Sequence, residues 1–144
     1  MRRLIAFAAM ALVPAVVSGQ APQYITSAAP SPAPFSPAVR VGNMLYLAGQ
    51  LGTDKSGKVV EGGIGPETKQ ALSNIRDLLE ANNSDMQHVV KCTVFLADMK
   101  EWPAMNEVYK TMFTAGKLPA RSAFGTTGLA LNARLEIECM AVVK

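Results

Sequence analysis

One histidine, two cysteines and one tryptophan occur in 144 residues, and Lys and Arg nowhere form a cluster. Each scarcity removes a class of chemistry. His88 has no metal-ligating neighbour at a usable spacing, so it reads as structural and no metal site is expected. Cys92 and Cys139 stand apart from any histidine arrangement that would make a thiol nucleophile. The glycines of Gly62-Gly63-Ile64-Gly65 lack the lysine and the preceding strand that a phosphate-binding loop needs. Without a basic stripe no nucleic-acid surface is expected. The apolar run Leu4 to Val17 has 14 residues and contains Pro14. It falls short of the ~20 apolar residues that span a bilayer.

That run is placed like a secretory signal. Met1-Arg2-Arg3 supplies a basic start, and Val17-Ser18-Gly19 offers small residues where a signal peptidase reads. Residues 1–19 are therefore expected to be a leader cleaved after Gly19. The mature protein is expected to be periplasmic or secreted, with no membrane contact after cleavage. No cysteine lies at the cleavage site, which argues against a lipoprotein. The remaining 125 residues fit one domain with a real core. Loss of Arg2 and Arg3 lowers Lys+Arg from 14 to 12 against 11 Asp+Glu, so the mature charge is about +1.

Pro22, Pro30, Pro32 and Pro34, with Ser and Ala between them, mark residues 20–34 as an extended tether. The domain proper is expected over 35–144. Met44 to Ala48 reads as a buried strand ended by Gly49, and Asp54 to Gly57 as a turn. A helix is predicted from Pro66, with Glu67 complementing its dipole and Ala71, Leu72, Ile75, Leu78 and Leu79 on one face. Asn82-Asn83 stops it. Val90, Cys92, Val94 and Leu96 alternate with Lys91, Thr93 and Phe95, the mark of a strand. Asp98 can cap a second helix whose apolar face is Trp102, Met105, Val108, Tyr109, Met112 and Phe113, read as core; Gly116 ends it.

The closing segment alternates strictly. Leu135, Ile137, Cys139, Ala141 and Val143 face one way; Arg134, Glu136, Glu138, Met140 and Val142 face the other. The first set is expected under the helices. The second set, with Thr93 and Phe95, lies on a face no helix covers, and a partly apolar bare face calls for a partner. The cysteines fall on the apolar phase of two strands. An oxidising compartment would allow them to pair, but buried free thiols are the favoured reading. Arg121, closing Pro119-Ala120-Arg121, offers a fork for a carboxylate, and Glu136 is a candidate base for activating water. Glu136 is also open to a bland reading, as a solvated strand residue or an interface ion-pair partner, for instance of Arg134 on the same face.

Several segments together resemble one family, the RidA/YjgF enamine/imine deaminases. They are Ala33-Pro34-Phe35-Ser36-Pro37-Ala38-Val39, Gly42-Asn43-Met44, Ala48-Gly49-Gln50, Gln70-Ala71-Leu72-Ser73-Asn74 and Val90 to Leu96. Met105-Asn106 follows, and the most specific are Pro119-Ala120-Arg121-Ser122 and Leu135-Glu136-Ile137-Glu138. The resemblance spans about Ile25 to Val143. It implies an α+β, chorismate-mutase-like fold: a mixed β-sheet backed by two helices on one face, in a homotrimer with inter-subunit clefts. It also implies that Arg121 grips a substrate carboxylate, that Glu136 lies by the hydrolytic water, and that Gly49 and Asn106 line the cleft. Three side chains depart from the family pattern. Phe35 stands in place of a tyrosine, Ala48 in place of a serine and Ala123 in place of a cysteine, with Phe35 and Ala123 still at substrate-contacting positions.

The implied reaction is hydrolysis of a 2-enamine or 2-imino acid, such as 2-aminoacrylate, to a 2-oxo acid and ammonia. Positioning of substrate and water can accelerate it with no cofactor and no metal. Two other classes stand beside it: a non-catalytic trimer binding small carboxylates or acting as a chaperone, and a ribonuclease. The near-neutral charge and the lack of a histidine pair argue against the ribonuclease.

Overall fold

A computed structural model describes residues 20–26 and 33–144; the expected leader lies outside them. Seven strands form one mixed sheet: β1 (Gln23–Ile25), β2 (Ala38–Val41), β3 (Met44–Leu47), β4 (Gln50–Leu51), β5 (Val89–Leu96), β6 (Ala120–Gly125) and β7 (Leu135–Val142). Their order is β1-β2-β3-β7-β5-β6, with β4 also on β7. All neighbours run antiparallel except β5 and β6. Two helices, α1 (Ile64–Glu80) and α2 (Trp102–Tyr109), pack together and back the sheet. The expected α+β architecture is what the chain forms.

The helix α1 begins at Ile64, two residues before Pro66, because Gly63 at φ 87° turns the chain into it. Its buried face is Ile64, Thr68, Ala71, Leu72, Ile75 and Leu79, with Leu78 partly buried. Asn83 at φ 57° ends the segment, and Ser84 N donates to Leu79 O at 3.0 Å. The second helix is more broken than its periodicity predicts. Asp98 caps a 3-10 turn (Met99–Glu101), accepting from Lys100 N at 2.9 Å; α2 follows, then another 3-10 turn (Lys110–Met112). Only Met105 and Tyr109 of α2 are buried, and Trp102 is 40 % exposed, so the assignment of Trp102 to the core is corrected.

Three further details differ from the sequence reading. Part of the proposed tether is structural: Gln23–Ile25 pairs with β2 as the sheet's edge strand. In β5 a register shift between Val89 and Lys91 buries Val89 and turns Val90 out to 42 % exposure. A bulge adds one residue and reverses the phase on one side of it, so strict alternation from Val90 misassigned that position.

Cys92 and Cys139 are directly opposite across the β5–β7 pair, with Cα atoms 4.1 Å apart, and they form a disulfide. The free-thiol reading is therefore replaced. Both residues had the right phase, but only the register between strands separated by 47 residues puts them face to face.

Candidate active site

Strand β7 carries Glu136 between Leu135 and Ile137, both buried under the helices, so Glu136 points to the bare face. Across β5 it opposes Phe95, and across β4 it opposes Leu51. Gly49 lies in the short link between β3 and β4, and the Glu136 carboxylate occupies the space where a side chain on Gly49 would be. A Cβ built there would overlap Oε1 and stand 2.7 Å from Cδ. Gly49 is thus a glycine because a carboxylate fills its place.

Within one chain Glu136 does not pair with Arg134. Arg134 turns instead to Glu101, with Nη1 to Oε1 at 2.5 Å, and to Glu67, with Nε to Oε1 at 3.7 Å. The buried Glu67 carboxylate also accepts from Arg134 N at 2.8 Å, tying the start of β7 to the first turn of α1. Glu136 makes no ion pair among the described residues. His88 has the structural role expected: its Nδ1 lies 2.8 Å from Asp85 Oδ1, which also accepts from Gln87 N.

Arg121 is on β6, the strand that sequence reasoning did not identify. In register it stands beside Cys92, and Ala123 beside Val94, so both face the helices. The Arg121 guanidinium carbon lies 4.5 Å from the centre of the Tyr109 ring and 6.0 Å from that of Trp102. Cations over aromatic faces at these distances are attracted by the ring quadrupole. No carboxylate pairs with Arg121 among the described residues. Beside it is a cavity of about 290 Å³ lined by Asn106, Tyr109, Lys110, Leu118, Pro119 and Arg121. Burial pushes the Tyr109 phenol up to about 12, although the Arg121 charge pulls it the other way.

The structure therefore brings together Arg121 and Asn106 at one place and Glu136 and Gly49 at another. Ala123 is partly buried against the core two residues beyond Arg121. Phe35, in the bend before β2, is 62 % exposed and is not among the residues lining the Arg121 cavity. Arg121 and Glu136, expected in one pocket, lie on opposite faces of the sheet within a single chain. Tyr109 and Trp102 are the members that sequence reasoning missed, since their helical spacing reads as core. The signal was Asn106, a polar residue on the same helix face between them.

A mixed sheet with two helices on one face, an arginine against α2 with no carboxylate partner among the described residues, and a glutamate on the bare side place the chain among the small α+β proteins. The model of the family described as Endoribonuclease L-PSP matches residues 26–143. The chain belongs to this family, the RidA/YjgF proteins. It is 47 % identical over 110 residues to the 2-iminobutanoate/2-iminopropanoate deaminase of Mus musculus, covering 76 % of this chain and 81 % of that one. The Homo sapiens protein of the same name is 43 % identical, with 76 % and 80 % covered. Among solved structures, yeast Mmf1 superposes with a TM-score of 0.79 at 36 % identity, covering 86 % of this chain and all of that one. RidA from Psychrobacter gives 0.76 at 31 % identity, covering 84 % and 99 %.

Proposed function

We propose that this chain is a hydrolytic deaminase of 2-enamine and 2-imino acids, working as a homotrimer whose site is shared between neighbouring copies. The observation that carries the reading is an arginine held against aromatic rings with no carboxylate partner among the described residues, beside a cavity sized for a small acid. The deaminase names of relatives at 43–47 % identity support the same chemistry. Because Arg121 and Glu136 occupy opposite faces of one sheet, a single copy cannot apply both to one substrate. Arg121 of one copy facing Glu136 of the next resolves this. The bare face, with Tyr46, Phe124 and Met140 each 39–54 % exposed, supports such association.

In the reaction, an enamine such as 2-aminoacrylate tautomerises to the 2-imino acid, and Arg121 binds its carboxylate through two parallel N–H donors. Glu136 accepts a proton from water as the water oxygen bonds to C2, while the C2=N π pair moves onto the nitrogen, which takes up a proton to complete a carbinolamine. The carbinolamine then collapses: the C2–N bond breaks, the nitrogen leaves protonated as ammonia, and the C2 oxygen becomes the 2-oxo carbonyl. Orientation of water and imine supplies the acceleration. The single histidine and near-neutral charge of the mature chain give no support to phosphodiester cleavage. We extend the proposal to export: the leader of residues 1–19 places the mature chain outside the cytoplasm.

The test is incubation of the mature protein with 2-aminoacrylate generated in situ, following 2-oxo acid release beside its mass by light scattering. Accelerated release by a trimer is expected. Binding of 2-oxobutyrate without acceleration would make the chain a non-catalytic carboxylate binder, and a monomer mass would rule out the shared site. N-terminal sequencing of protein from the native host should begin near Gln20; an intact leader would refute export.

A further inference from the structure

We propose that Tyr109 is a substrate-recognition residue, its ring setting the Arg121 guanidinium and its hydroxyl donating to the bound carboxylate. The inference rests on the reading of Arg121 as the carboxylate anchor and adds a residue to that site.

Tyr109 is 2 % exposed, yet among the described residues its hydroxyl has no hydrogen-bond partner, and neither has the Oδ1 of Asn106 one turn earlier on α2. Stable folds rarely leave buried polar atoms unmade, because the lost hydration is not repaid. Two such atoms on one helix face, both on residues lining the Arg121 cavity, mark polar demand that the isolated chain does not meet. The third group on that wall, the guanidinium, is also without an anionic partner among the described residues. The three complement one head group. A carboxylate has about four lone-pair sites, and a bidentate guanidinium takes two of them. A phenol can donate to a third. Asn106 Oδ1, an acceptor, matches instead the N–H on C2 of a 2-imino acid. With its phenol pushed up to about 12, Tyr109 keeps its proton, and so its donor, throughout the neutral range.

The ring has a separate part. At 4.5 Å from the guanidinium carbon it offers a flat surface against which the planar fork rests, and it leaves the donors along the fork's edge unspent. A carboxylate neighbour would hold Arg121 as firmly but would occupy those donors.

The experiment measures 2-oxobutyrate binding by calorimetry for the parent, Tyr109→Phe and Tyr109→Leu, beside their melting temperatures and turnover. Tyr109→Phe keeps the ring and should raise Kd about tenfold, the worth of one hydrogen bond to a charged group. Its melting temperature should equal or exceed the parent's, because the hydroxyl it loses has no partner in the fold. Tyr109→Leu should raise Kd further as the guanidinium loses its platform. Parent-like affinity in Tyr109→Phe overturns the inference. So does a melting temperature well below the parent's, which would reveal a structural partner for the hydroxyl. A parent that binds 2-oxobutyrate but does not hydrolyse enamine removes the deaminase reading alone, and weakened binding in Tyr109→Phe would then still support the inference. A parent with no affinity for 2-oxobutyrate overturns the inference together with the Arg121 anchor.

Discussion

Replacing Gly49 with alanine isolates the position of the Glu136 carboxylate from its chemistry. The added Cβ would overlap Oε1 and stand 2.7 Å from Cδ and 3.0 Å from Cγ. Ordinary contact begins near 3.4 Å, so the carboxylate must retreat by at least about 1 Å. Gly49 does not have a positive φ, so the backbone itself accepts alanine. The obstacle is the end of a flexible side chain that makes no ion pair among the described residues, and it can swing away at little cost. Stability should therefore change by less than about 1 kcal/mol. Catalysis should suffer more, since a displacement of that size costs about 100-fold in rate. Carboxylate affinity, set by Arg121, should stay near the parent value. Urea unfolding, calorimetry with 2-oxobutyrate and the enamine assay measure the three quantities. In a Glu136→Gln background the same alanine should cost almost nothing further, because the two changes remove one interaction. Parent-like turnover by Gly49→Ala would show that the carboxylate's position is irrelevant to the chemistry. A collapse in stability would show that Glu136 is locked in place and cannot swing away.

Arg121→Lys keeps the charge but loses the planar fork, so 2-oxo acid binding should weaken by roughly 1.5–3 kcal/mol, while Glu136→Gln should keep binding and lose about 100-fold or more in turnover; calorimetry beside the enamine assay separates the two. Removing the disulfide with Cys92→Ala/Cys139→Ala opens a link across a sequence separation of 47 residues. The loop-entropy relation puts the loss at about 4 kcal/mol, and urea unfolding of the oxidised parent and the variant at one midpoint would refute it. Asp85 bonds to Lys144 Nζ at 2.7 Å and to His88, in that order of effect, and these hold its carboxyl well below the usual carboxylate range. A depressed folded pKa stabilises above the unfolded value, so the parent's advantage over Asp85→Asn should be present at neutral pH and fade as pH falls below about 4. An advantage that grew on acidification would contradict the assignment.

Local patterns determined much of this protein. The helical spacing of Ala71, Leu72, Ile75 and Leu79 and the alternation from Leu135 to Val143 identify two core elements. They also identify the face on which Glu136 stands, because each side chain's direction follows from the period of its own backbone. The segments around Arg121 and Glu136 identify the family for the same reason, being contiguous. What no local pattern encodes is the pairing of distant segments. That Cys92 meets Cys139 depends on the β5–β7 register, and a one-residue slip would part them. That Val90 turns outward depends on a bulge created by that pairing. Arg121 lies against Tyr109 and Trp102 because β6 runs parallel to β5 at the sheet edge, which turns Arg121 toward α2 and away from Glu136. The sequence alone names the arginine and the glutamate. Only the sheet, whose two faces point in opposite directions, shows that one copy of the chain keeps them apart.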